Sequence, residues 1–319
     1  MRLGRISVKI FLNMCRMGGL PAAGRKADVT PMREFVITTE NAADLPPEFI
    51  REHQIPLLSL YYTLNDRTYC DEQQPAEEFY ADMRAGAMPK TQQVNPDQAY
   101  SKFKAILEQG KDILHIGFTS AVSGSYHSEC IAAQELREEF PDREIVVVDT
   151  KVGTLCEGMV VDMALRMKQA GKTLGEIATW VKENVNHFCL YATVDDLKHL
   201  YRGGRVSRST AFLGTAIGIK PILRLNEEGN LVPFAKVRGR RKALDSLVDY
   251  MAEKVGSFLK EHDTVYISHG DCLEDAKYVA QKVQERLGVA KSMISFIGPV
   301  IGAHAGPGAL ALSFFGEEK

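Results

Sequence analysis

The chain has 319 residues, 45% apolar and 25% charged, with 39 Lys and Arg against 41 Asp and Glu. That length holds two domains or one large one with a substantial core, and the near-neutral balance gives no general basis for binding nucleic acid or an anionic membrane. No apolar run approaches the roughly 20 residues needed to cross a bilayer, and scattered cysteines (Cys15, Cys70, Cys130, Cys156, Cys189, Cys272) without a C-x-x-C pair favour a reducing, cytoplasmic setting over disulfides or structural zinc.

Residues 1–31 carry six Lys or Arg and a single acid, Asp28. They read as a disordered extension or an upstream start, with Met32 as the natural beginning. Phe35-Val36-Ile37-Thr38 is the first core strand, followed by a polar turn from Thr39 to Pro47 in which Asp44 can cap a helix. Leu57 to Tyr62 is a second strand, with a turn at Asn65-Asp66. A helix is expected over 76–84, and another after Asn95-Pro96, with Ala99, Phe103, Ile106 and Leu107 inward and Gly110 as its stop. Ile113, Leu114 and Ile116 then form a buried parallel strand. It runs into Thr119 to Ser125, where Ser123 or Ser125 caps a helix with Tyr126, Cys130, Ala133 and Phe140 on its apolar face. Glu144 to Val148 closes this half, ending in Asp149-Thr150. Strands alternating with helices at this spacing predict a doubly wound, mainly parallel α/β layer over 32–150. Thr39, Thr119 to Ser123 and Asp149 all fall at strand ends, where such sheets bind ligands.

Residues 151–319 have another texture. Two helices (Leu155 to Met163, Leu174 to Val185) precede a strand over 188–193. The basic turn Tyr201 to Ser207 leads to a small-residue helix expected over 210–217. Pro221 to Leu225 and Leu231 to Val237 read as a hairpin about Glu228-Gly229. Arg238 to Lys242 opens an amphipathic helix, and strand 265–268, helix 274–287 and strand 293–296 form a βαβ-like unit. Gly298 to Gly308 is rich in glycine and encloses His304, ahead of the apolar run Ala309 to Phe315. A second α/β domain with a mixed or antiparallel sheet is the expectation.

Free N–H groups where the helix begins after Ser123 and Gly124, beside hydroxyls, suit an anion. Thr91 and Ser123 are hydroxyls on separate loops, and such residues are most often turn or cap formers. His304 is either satisfied by backbone or exposed to a narrow cleft among small residues. Arg205 and Arg238 each precede a helix, against the usual dipole preference for acids there. His269 at a strand end is a weaker candidate for a site wall. There is no HExxH, P-loop, GxSxG or GxGxxG pattern, and no cofactor or metal is implied. The residues alone define an anion-binding α/β protein and leave the anion open.

With those motifs in order, the chain resembles the DegV family of fatty-acid-binding proteins, which includes the binding subunits of bacterial fatty-acid kinase. The likeness runs from about Met32 to Gly316. It rests on Thr39 to Pro46, Pro89-Lys90-Thr91, Ser120 to Ser128, Asp149-Thr150, Gly204 to Ser207, Arg238 to Lys242 and Gly302 to Gly308. The resemblance implies a ligand tunnel between two α/β domains, holding a long-chain fatty acid with its tail buried. Thr91, Ser123, Gly124 and His304 would bind the carboxylate, and Arg205 and Arg238 would engage a kinase or phosphate. A separate ATP-dependent kinase would form the acyl phosphate, and this chain would catalyse nothing alone. Two departures, Glu40-Asn41-Ala42 and Gln92 to Asn95, fall beside the expected ligand and bear on ligand class. The competing readings are a stand-alone hydrolase or transferase on a small acyl or phosphorylated substrate using His304, and a scaffold that docks a partner through its basic turns.

Overall fold

The computed structural model describes residues 33–70, 73–207, 218–317 and 319. In chain order, β1 (Phe35–Glu40), α1 (Pro47–His53), β2 (Leu57–Leu58), β3 (Tyr61–Leu64) and β4 (Arg67–Cys70) come first. Next are α2 (Ala76–Arg84), β5 (Lys90–Gln92), α3 (Pro96–Leu107), β6 (Asp112–Gly117), α4 (Ser125–Glu139) and β7 (Ile145–Asp149). Then follow α5 (Leu155–Gln169), α6 (Leu174–Glu183), β8 (Phe188–Thr193), α7 (Lys198–Arg202), β9 (Ile219–Leu225) and β10 (Leu231–Arg238). The chain continues through α8 (Arg240–Lys254), β11 (Thr264–His269), α9 (Leu273–Leu287), β12 (Lys291–Phe296), α10 (Pro299–Ala305) and β13 (Leu310–Phe315).

Strands β2-β1-β6-β7 form a parallel sheet in that order. Its strands are covered on both faces, so their apolar residues split by period two. Ile113, with Ile145 and Val147, faces α3 and α4 through Phe103, Ala132 and Leu136. Leu114 and Ile116 face the other way, onto Met159 and Val160 of α5 and Ile177 of α6. The doubly wound parallel layer is as expected, but the single strand expected over Leu57 to Tyr62 is split, because β2 joins the parallel sheet and β3 pairs antiparallel with β4 and β5.

The second sheet has the order β10-β9-β8-β13-β11-β12, antiparallel except for the β11–β12 pair. The hairpin and the βαβ unit appear where their turns and periodicities placed them. The terminal apolar run, 309–315 in the sequence, supplies β13, a buried strand between β8 and β11. Helices α8 and α9 cover one face. The opposite face presents Phe188, Leu190, Ala311 and Phe315 to α5, so α5 lies between the two sheets. A small antiparallel sheet, β4-β3-β5, carries Thr91 and packs by Tyr62 and Leu64 near Ala303 of α10.

One expected helix face is corrected. Helix α4 buries Ser125, Ser128, Glu129, Ala132, Ala133 and Leu136. Tyr126, Cys130 and Phe140 are only partly buried at its edge. The rotation carries Glu129 onto the sheet, where its carboxylate meets His115. The extension expected over 1–31 and the helix expected over 210–217 lie outside the described residues.

Candidate functional site

A cavity of about 240 Å³ lies between the mixed sheet, α10 and the loop that follows β6 of the parallel sheet. The mixed sheet contributes Leu190, Ala192, Leu223, Leu225 and Ala311 to its wall, α10 contributes Val300 and Ile301, and Ile297 comes from the turn between β12 and α10. Phe118 and Val122 come from the loop after β6. These side chains have no polar atoms, so most of the wall suits hydrocarbon.

Thr119 and Thr154 line the cavity but hydrogen-bond Gly229 O, Asp44 and Ser268, and the rest of the polar lining gathers near the start of α4. The loop after β6 brings Ser123 and Gly124 to the start of α4, where Gly124 holds the N-cap position. Ser123 Oγ donates to Ser125 Oγ at 3.0 Å and accepts the Ser125 N–H at 3.2 Å. Ser123 thus caps α4, although one residue further out than a standard cap. Thr91 comes from β5 and hydrogen-bonds His304 Nε2 at 2.8 Å. His304 occupies the last turn of α10. Burial, and then the charges of Arg205 and Arg202, lower its pKa to about 4. The imidazole is therefore neutral near pH 7.

Arg205 reaches the same cavity, with Nε donating to Val122 O at 3.2 Å and Nη1 to Gly203 O at 2.5 Å. Desolvation lowers its pKa, and it pairs with no carboxylate among the described residues. An anion placed by Ser123, Thr91 and His304 would meet an uncompensated guanidinium. Gln93 completes the group: a Cβ on Gly124 would fall 2.2 Å from its Oε1, and its Nε2 donates to Ser128 Oγ at 3.2 Å.

The fold therefore brings Thr91, Ser123, Gly124, Arg205 and His304 to one cavity from far-apart stretches of sequence. It does not bring Arg238, which ends β10 opposite Ile219 and is exposed. Two strand-end residues that seemed to share the crevice also lie elsewhere. Thr39 is fully buried and donates to Ile116 O and Glu157, each at 2.8 Å. Asp149 accepts from Ser120 Oγ at 2.5 Å and caps its own turn. His269 is buried against Phe296 and accepts the Cys272 N–H at 3.3 Å, outside the cavity wall. Gln92 and Gln93, expected beside the ligand, do line the cavity, whereas the apolar wall went unread in the sequence. The wall's only signal was apolar alternation, which marks core and ligand wall alike.

The architecture defines an α/β protein with a parallel sheet and a mixed sheet enclosing an apolar cavity with a small polar cluster. A family model described as "Uncharacterised protein, DegV family" matches residues 34–317, and the chain belongs to that family. A DegV domain-containing protein of Clostridium perfringens is 40% identical over 291 residues, spanning 90% of this chain and 99% of its own. A solved structure described as "Fatty Acid Binding of a DegV family Protein from Thermus thermophilus" has a TM-score of 0.79 and 26% identity, covering 89% of this chain and 100% of its own. DegV of Bacillus subtilis, described as a fatty acid binding protein, has a TM-score of 0.76 and 25% identity, covering 89% of this chain and 100% of its own.

Proposed function

We propose that the cavity holds a long-chain fatty acid, its tail along the apolar wall and its carboxylate at Thr91, Ser123, Gly124 and His304. The observation that carries this reading is Arg205, without a carboxylate partner among the described residues, beside that cluster in a mainly apolar cavity. Fatty-acid binding in the structurally similar proteins of Thermus thermophilus and Bacillus subtilis supports it. Each buried methylene contributes about 0.8 kcal/mol, so the tail provides most of the affinity before association costs. The head group fixes orientation by charge-assisted hydrogen bonds. His304 suits this role better than acid–base catalysis, because its Nδ1 is buried with no hydrogen-bond partner, and so no orienting carboxylate, among the described residues.

In the fuller form of the proposal, a separate kinase transfers the γ-phosphoryl group of ATP to a carboxylate oxygen, releasing ADP and leaving an acyl phosphate on this chain. Arg205, at the head group, and exposed Arg238 are the residues proposed to meet the kinase or the phosphate. Mass spectrometry of ligand extracted from the purified protein is expected to find a fatty acid. A ligand-free protein that also fails to take up palmitate or oleate would overturn the reading. Ser123→Ala removes one hydrogen bond to a charged group, worth about 1.5–3 kcal/mol. Fatty-acid affinity is therefore expected to fall about tenfold or more, as measured by titration. Unchanged affinity would move the head group elsewhere.

A further inference from the structure

Behind the cavity wall lies a second, sealed cluster. Phe118, whose ring lines the cavity, donates its backbone N–H to Glu40 Oε2 at 2.9 Å. Glu40 ends β1, His115 lies on β6 and Glu129 on the second turn of α4, and all three are fully buried. One donor atom from each lies within 4.8 Å of the other two. His115 Nδ1 is hydrogen-bonded to Thr38 Oγ1 at 2.9 Å, which turns Nε2 toward Glu129 Oε2 at 3.1 Å. His115 Nε2, both Glu129 oxygens and Glu40 Oε1 are buried facing one another, with no other hydrogen-bond partner among the described residues. Folded proteins satisfy nearly all such groups, and leaving one unsatisfied costs about 1–3 kcal/mol. Four such atoms facing one another call for a shared proton or a shared cation.

We propose that Glu40, His115 and Glu129 bind a divalent first-row transition-metal ion that pins β1, β6 and α4 together behind the cavity. Two carboxylates and a neutral imidazole carry the charge that one divalent cation cancels, which removes the cost of burying them. A nitrogen and carboxylate-oxygen set without thiolate selects zinc, iron or manganese rather than copper(I). Bonds of about 2.0–2.2 Å to zinc place donor atoms at most about 4.4 Å apart, so closure around the ion takes only a small contraction. The Thr38–His115 bond is the outer hydrogen bond that a metal-binding imidazole needs to fix its ring. The ion would anchor both Phe118 and the helix that begins at Ser125, and so hold Ser123 and Gly124 in place.

Metal analysis of the full chain, free of any affinity tag, is expected to find one zinc, iron or manganese ion per molecule. After stripping with a chelator, zinc chloride is expected to restore a higher melting temperature. Glu129→Gln preserves shape but removes a ligand charge, and is expected to lose that response. Thr38→Val leaves all three ligands in place and is expected to weaken zinc about tenfold. It also provides the test should Glu129→Gln fail to fold. Absence of metal together with no thermal response to zinc or manganese would overturn the proposal and leave the cluster closed by shared protons. Equal metal content in wild type and Glu129→Gln would overturn it too, as an adventitious ion only.

Discussion

His304 owes its position to a residue with no side chain. A Cβ on Gly203 would lie 2.0 Å from His304 Nδ1, so the imidazole occupies the space that any other residue would fill. Gly302, two residues before His304, likewise admits Tyr80, whose hydroxyl would be 2.5 Å from an added Cβ. The glycine-rich run around His304 was legible as close packing because its composition leaves few other uses. Gly203 was not, since the contact joins two segments whose approach exists only after folding. Gly203→Ala keeps ordinary backbone angles but displaces a buried ring, and overpacking of this kind costs about 1–3 kcal/mol. Denaturant melts are expected to show that loss. Fatty-acid titration is expected to show weaker binding as well, because the displaced ring leaves Thr91. A stable variant with unchanged affinity would show that the Thr91–His304 pair does not position the head group.

At the level of elements, the strands and turns were readable because their signals are local: β-branched runs, a capping Asn95 that accepts the Asp97 N–H at 2.8 Å, and glycine stops. The face of α4 was not readable, because Glu129 points inward only to meet His115 on another element. Helix α5 is the harder case. It is buried on nearly every side, including Glu157 and Asp162, so its sequence has no clean stripe to show what it packs against. It proves to be the element shared by both sheets, with Met159 in the same cluster as Leu114 of the parallel sheet and Phe188 of the mixed one. Met159→Ala is expected to cost about 2–5 kcal/mol as a buried large-to-small change. Because the cluster spans both sheets, urea unfolding of the variant is expected to remain a single transition at a lower midpoint. Two separated transitions would mean that the sheets fold independently of α5.

Across the whole molecule, Asp44 ties the two sheets together. It follows β1, takes a left-handed backbone conformation and is buried. Its Oδ2 accepts from Thr154 Oγ1 at 2.5 Å, and its Oδ1 accepts the Gly298 N–H at 2.9 Å, next to α10. Burial dominates these hydrogen bonds and pushes its pKa up from 3.8 to about 7. Below pH 3.8 the folded and unfolded chains both hold this proton. As pH rises toward 7 the unfolded chain releases it first, so the contribution of Asp44 to stability is present at acid pH and is lost across that window. The loss totals about 4 kcal/mol, at roughly 1.4 kcal/mol per pH unit. Glu157, also raised by burial, acts in the same direction. His304, lowered to about 4, acts in the opposite one, so the wild-type profile alone does not isolate Asp44. Comparison with Asp44→Asn does, because the amide still accepts from Gly298 and cannot ionise. The stability difference between variant and wild type, from urea melts at successive pH values, is expected to shift in favour of the variant from pH 4 to pH 7 and then level off. A difference that stays constant over that range would show that Asp44 is ionised in the folded protein throughout.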